Sequence, residues 1–150
     1  FFLNGKGLVA ADSSWQNVTG KASQKVEAGL YPTLLILGCA MYAGNQTGVK
    51  LADLVLTYQD GSSAAVALRN NIELRDWYLN GKPQGGAPIA PAVTFDTADL
   101  QNYGLFAAAL TNPAPGKTLT QVDLISASPG VVAIAGLTLC KVDPAAAKTQ

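Results

Sequence analysis

Residues 51–68, LADLVLTYQDGSSAAVAL, constrain this chain more than any other stretch. Over residues 51–58, Ala52, Leu54, Leu56 and Tyr58 fall on one side of a two-residue period, and Leu51, Asp53, Val55 and Thr57 fall on the other. Successive side chains of a strand point to opposite faces, so this spacing predicts a strand with one face in a core. Asp60-Gly61 follows, and Ala64, Val66 and Leu68 resume the alternation. An Asp-Gly pair between two alternating runs predicts a type I′ hairpin, whose central residues both take positive φ; Gly adopts it freely and Asp tolerates it. A chain organised around such a segment is committed to antiparallel sheet.

The same signals recur along the sequence. Residues 1–9 read as two short strands about Asn4-Gly5, followed by a polar loop that carries Trp15. Residues 18–28 alternate and stop at Gly29 and Tyr31-Pro32, and residues 33–42, TLLILGCAMY, form the most apolar run. Short strands are expected at 93–96 and 104–111. The second contains an alanine run with helical propensity, but it is short and ends at Asn112-Pro113-Ala114-Pro115, which enforces extended or turn backbone. Residues 119–126 alternate, Pro129-Gly130 turns the chain, and residues 131–142 close it. The intervening stretch 79–92, LNGKPQGGAPIAPA, is a long Gly/Pro loop of the kind that carries function in small domains. Roughly eight to ten short strands with regular turns and no amphipathic helix predict an all-β fold, an antiparallel β-sandwich of jelly-roll type. It is expected to span residues 1–142, with 143–150 as a tail or linker.

At 150 residues the chain suits one domain that buries roughly two thirds of its unfolded surface. Its ten basic residues are scattered singly and balance its ten acids, which argues against nucleic acid as a partner. The apolar runs 34–42 and 131–139 fall well short of the ~20 residues of a membrane helix, so no membrane insertion is expected. The sequence opens abruptly at Phe1-Phe2, which suggests a removed leader or, preferably, an excerpt of a longer polypeptide. There is no histidine, which removes the commonest general base and any Ser-His-Asp arrangement, and no pair of carboxylates stands out for glycoside hydrolysis. A non-catalytic role is therefore expected. Cys39 and Cys140 lie in apolar strands and read either as two buried thiols or as a disulfide closing a ~100-residue loop. Their spacing does not suit a metal. No cofactor is expected; for a structural calcium ion the candidates are Asp96, Asp99 and Asp123, without a DxDxDG loop to hold it.

The order of motifs resembles the galactose-binding-like jelly-roll domains, similar to the carbohydrate-binding modules appended to secreted bacterial polysaccharide-degrading enzymes. The residues that carry the resemblance are TLLILGCAMY; Tyr-x-Asp-Gly-Ser at 58–62; Arg75-Asp76-Trp77-Tyr78; the Asn-Pro-x-Pro turn at 112–115; Leu-x-x-Val-Asp-Leu at 119–124; and the apolar closing strand. In place of an aromatic just before the Asn-Pro turn, the chain has Ala107, Ala108, Ala109 and Leu110. The resemblance implies a secreted, extracellular polysaccharide- or glycan-binding module attached to a catalytic domain. A structural or adhesive β-sandwich that self-associates in an extracellular assembly is the alternative.

A sugar-binding site needs an aromatic platform against the C–H face of the ring and polar groups for its hydroxyl rim. Arg75, Asp76, Trp77, Tyr78 and Asn80 combine an aromatic pair, both signs of charge and an amide beside the Gly/Pro loop. Trp77 reads in the first place as a plug for one end of the core, since buried aromatics are commoner than exposed ones. Trp15 is a second candidate platform. Tyr42 and Tyr103 stand at strand ends beside Asn45 and Asn102 and suit either recognition or core capping.

Overall fold

A computed structural model of the chain describes residues 8–11, 20–80, 84–85, 89–96, 101–127 and 131–141. All regular structure among them is β-strand: β1 Leu8–Ala11, β2 Lys21–Gly29, β3 Thr33–Met41, β4 Lys50–Tyr58, β5 Ser63–Arg69, β6 Val93–Asp96, β7 Gln101–Thr111, β8 Leu119–Ser126 and β9 Val131–Cys140. They form a five-stranded sheet in the order β1-β9-β3-β7-β6 and a four-stranded sheet in the order β2-β8-β4-β5. Each pair of neighbouring strands is antiparallel. The two sheets form a β-sandwich whose core is the alternation read from the sequence. β4 contributes Ala52, Leu54, Leu56 and Tyr58, and β8 contributes Val122 and Leu124; the other sheet contributes Leu34, Ile36, Phe106, Leu110, Ile134 and Leu137. Each fully buried Leu, Ile or Phe adds about 1.5–3 kcal/mol relative to exposure.

The β4–β5 hairpin forms, but its turn differs from the expected one. In this turn positive φ is confined to Gly61, at 81°. The Gly61 N–H donates to Tyr58 O at 3.0 Å and the Tyr58 N–H to Ser62 O at 2.9 Å, which leaves a three-residue loop with glycine in the left-handed position. Asp60 is held out of that position because its carboxylate accepts from the Ser62 N–H (2.9 Å) and hydroxyl (2.6 Å). β7 also starts three residues earlier than expected, since residues 101–105 pair with β6.

The cysteines are free, and the disulfide alternative is overturned. β3 and β9 are neighbours, but Cys39 faces Ala133 while Cys140 faces Thr33. Six residues of β3 separate those positions, about 20 Å. Cys39 is buried in the core and Cys140 is only partly buried. The same pair of strands holds a bulge. Leu37 pairs with Gly136 and Gly38 with Ile134, leaving Ala135 as the extra residue. Position 38 is glycine because a Cβ there would lie 2.4 Å from Ala133 O.

Two motifs far apart in sequence meet at the end of the sandwich that carries the β4–β5 turn. Tyr58 Oη donates to Asn112 Oδ1 at 2.6 Å, and Asn112 Nδ2 donates to Tyr31 O at 2.8 Å. Lys117 Nζ donates to Asp60 Oδ2 at 2.8 Å and to Ser62 Oγ at 2.7 Å. The Tyr-x-Asp-Gly-Ser hairpin and the Asn-Pro-x-Pro turn are thus each other's partners. The expected turns at Asn4-Gly5 and Pro129-Gly130, and the tail 143–150, lie outside the described residues.

Candidate functional site

The opposite end of the sandwich is built around residues 75–79. β3 and β7 pair only as far as Gly38 and Phe106, and beyond that point this segment enters between them. The Ala40 N–H donates to Arg75 O (2.9 Å) and the Trp77 N–H to Ala40 O (2.8 Å). On the other side the Leu79 N–H donates to Asn102 O and the Gly104 N–H to Trp77 O, both at 2.8 Å. The segment therefore runs parallel to β3 and antiparallel to β7, satisfying backbone groups that the diverging strands would otherwise leave open. Close packing at Gly104, where a Cβ would lie 2.9 Å from Pro91, keeps the insertion tight.

Loop 42–48 closes the site from the β3 side. Buried Asn70 donates through Nδ2 to Gly44 O (3.1 Å) and Gln46 O (3.0 Å), and the Gln84 N–H donates to Asn45 O at 2.7 Å. Asp76 ties this loop to the inserted segment: Oδ2 accepts from the Ala43 N–H at 3.1 Å and Oδ1 from the Tyr78 N–H at 3.0 Å. Tyr42, Asn71 and Asn102 hold positive φ here, at 61°, 58° and 61°. Asn enters the left-handed region several-fold more readily than most residues, whereas for tyrosine it is strained backbone of the kind that gathers at ligand sites.

These elements enclose a pocket of about 550 Å³ lined by Tyr42, Gly44, Asn45, Asn71, Arg75, Asp76, Trp77, Tyr78 and Tyr103. Tyr103 stands between the other two rings, 4.5 Å from Trp77 and 5.6 Å from Tyr78 between centroids, each pair tilted by about 50°. Such offset geometry is favourable and fixes the three rings as one unit. Tyr42 and Tyr78 are exposed, at 71% and 45%. Arg75 is buried and donates through Nη2 to Leu79 O at 3.0 Å. Asn71 is 6% exposed; its Nδ2 donates to Thr47 Oγ1 at 3.3 Å, and its Oδ1 has no protein partner. Burial, and secondarily the Asp76 carboxylate, push the Cys39 thiol up to about 11, so it is a packed group here and not a nucleophile.

Of the residues expected at a site, Arg75, Asp76, Trp77 and Tyr78 line the pocket, as do Tyr42 and Tyr103. Trp77 is both wall and packing, half-buried against the core. Asn80 stands outside the lining and donates to Tyr78 Oη at 3.1 Å. Trp15 lies outside the described residues. Asn71 was not expected; its signal is an Asn-Asn pair directly after a strand, where left-handed backbone is common. Among the described residues no cluster of three or more acidic or thiol groups could hold a metal. Of the calcium candidates, Asp123 is buried against Lys21, at 2.9 Å, and Gln121, at 2.8 Å; Asp99 and the side chain of Asp96 lie outside the described residues. No helix of the described residues is long and apolar enough to cross a membrane.

Fold and site together define an antiparallel two-sheet β-sandwich with an aromatic pocket at one end. Comparison with family models, with curated proteins and with solved structures finds no match for the chain.

Proposed function

We propose that this chain is a non-catalytic glycan-binding module of a larger secreted protein, serving to hold an attached catalytic domain near polysaccharide. The observation that carries this reading is the pocket itself, in which a trio of packed rings stands beside the polar side chains of Asn45, Asn71, Arg75 and Asp76. Aromatic faces complement the C–H face of a pyranose, and polar side chains complement its hydroxyls. Asp76, the one carboxylate in the lining among the described residues, holds two backbone amides, which supports binding over hydrolysis, since glycosidases use two carboxyl groups across the scissile bond. The strand orders β1-β9-β3-β7 and β2-β8-β4-β5, in which early and late strands interleave, support the jelly-roll form of the sandwich. Affinity electrophoresis of the intact chain through plant, algal and bacterial polysaccharides tests the proposal. Retardation that disappears in Tyr78→Ala is expected, and no retardation in any gel would end it.

A second reading, a structural or adhesive subunit, draws on the outer face of the five-stranded sheet. β3, β7 and β9 contain no charged residue, and Leu35, which is 38% exposed, stands there in register with Ala109 and Thr138. Concentration-dependent self-association without glycan binding would favour it.

A further inference from the structure

Among the described residues, three that are not glycine hold positive φ, and all three gather at the pocket. Tyr42 and Asn71 line it, and Asn102 directly precedes Tyr103, which lines it too. Asparagine enters the left-handed region readily, so two of the three are ordinary choices for a turn. Tyr42 is not. Its φ of 61° is strained for an aromatic side chain, and Gly or Asn would turn the chain out of β3 with less strain.

Burial does not recover that cost, since Tyr42 is 71% exposed, the highest value among the large hydrophobic side chains of the described residues. Nor does a loose loop explain it. Asp76 Oδ2 accepts from the Ala43 N–H, and Asn70 Nδ2 donates to Gly44 O and Gln46 O. The Gln84 N–H donates to Asn45 O, and the Thr47 N–H donates to Gln84 O. Residues 43–47 are thus tied down directly after the tyrosine. Tyr78 is differently placed, packed on Tyr103 and with its hydroxyl accepting from Asn80. A ring that is strained, exposed and carried into a cavity wall by a fixed loop is shaped for contact with a ligand, with the ordering cost already met in the free protein.

Resting on the glycan-binding reading above, we infer that Tyr42 is the pocket's principal ligand platform, its ring face taking the C–H face of a pyranose unit, and that its left-handed backbone is kept for binding at the expense of stability. The packed rings of Trp77, Tyr103 and Tyr78 form the wall on the side of the inserted segment. Stability and binding therefore pull in opposite directions at position 42.

The test runs the intact chain, Tyr42→Asn, Tyr42→Phe and Tyr78→Ala through gels containing xyloglucan, galactomannan, laminarin, alginate or xanthan, and melts each protein. Asn suits the left-handed backbone and removes the ring. Tyr42→Asn should melt no lower than the parent and bind the retarding polysaccharide about tenfold or more weakly. Tyr42→Phe returns the ring without its hydroxyl and should recover most of the binding. Melting of Tyr42→Asn several degrees below the parent would overturn the inference, because the ring would then be holding the fold. Binding by Tyr42→Asn equal to the parent's, with binding lost in Tyr78→Ala, would overturn it while leaving glycan binding intact. Tyr42→Phe as weak as Tyr42→Asn would also overturn it, since the hydroxyl and not the ring face would be the contact. No retardation of the parent in any gel ends the glycan reading, and this inference with it.

Discussion

Tyr58 ends a strand and Asn112 begins a turn, yet their side chains make one buried hydrogen bond that joins the hairpin to the Asn-Pro turn. Tyr58→Phe deletes a donor while Asn112 Oδ1 keeps the Ala114 N–H, so a loss of about 1–2 kcal/mol is expected. Asn112→Ala strands the Tyr58 hydroxyl and the Tyr31 carbonyl together, and should cost about 3 kcal/mol or more. Urea unfolding of the two variants checks the order; equal losses would mean that the network is not cooperative. Gly38 makes a different residue-scale demand. Gly38→Ala places a methyl against the Ala133 carbonyl at 2.4 Å, backbone that cannot swing aside, and should destabilise by about 2 kcal/mol or more through displacement of the bulge. Sequence periodicity shows neither effect. Tyr58 falls in the apolar phase of its strand, and Gly38 reads as a gap in an apolar run. The partner that gives each its meaning is 54 residues away in one case and about a hundred in the other.

Among the elements, strands were legible wherever one face is buried and the other is not. β8 matches its expected span and β4 matches within one residue, because inward residues such as Leu54 and Val122 alternate with outward ones, and β3 matches within one residue because its run is apolar throughout. The insertion of residues 75–79 between β3 and β7 was not legible. It has no period, since two backbone bonds to Ala40 and one each to Asn102 and Gly104 hold it instead of a ladder. The candidate cluster could be named from its composition, but the sequence could not say that Asp76 and Arg75 serve the backbone or that Asn71 joins them in the lining. The insertion predicts a contrast between adjacent aromatics. Trp77→Ala removes a ring packed on the core and on Tyr103, and should cost about 2–4 kcal/mol as well as binding. Tyr78→Ala removes a ring that is 45% exposed and should leave stability within about 1 kcal/mol of the parent. Chemical denaturation of both resolves the point, and a Tyr78→Ala loss as large as that of Trp77→Ala would make the trio a structural plug.

At the scale of the whole molecule, the first and last of the described strands lie side by side, so stability is a property of the closed sandwich and of no single hairpin. Free cysteines at opposite ends of the β3–β9 pair predict a melting temperature unchanged by reductant; a fall of several degrees would show a cross-link. The pH profile is the broader test. Without histidine, stability should be flat from about pH 5 to 8.5, whereas a histidine-bearing domain often bends near pH 6.5. On the alkaline side, burial raises Cys39 from 9.0 to about 11 and also raises Tyr58 above 10.0. The unfolded chain gives up these protons first, so the stabilisation is whole below pH 9 and fades as pH climbs towards 11. On the acid side Asp123 is the buried contributor, beside the exposed Asp60, whose carboxyl Lys117 and Ser62 also hold well below the usual range. Burial alone would raise the Asp123 carboxyl, but hydrogen bonds from Ser23, Lys21 and Gln121 outweigh that and hold it below 3.8. A depressed acid stabilises above its unfolded value and loses that contribution as pH falls through the folded one. Asp123→Asn should therefore melt lower than the parent at pH 7, and the gap should narrow as pH drops below 3.8. A gap that is constant from pH 7 to pH 2.5 would show that the charge on Asp123 contributes nothing, and that its worth lies in shape and neutral hydrogen bonds.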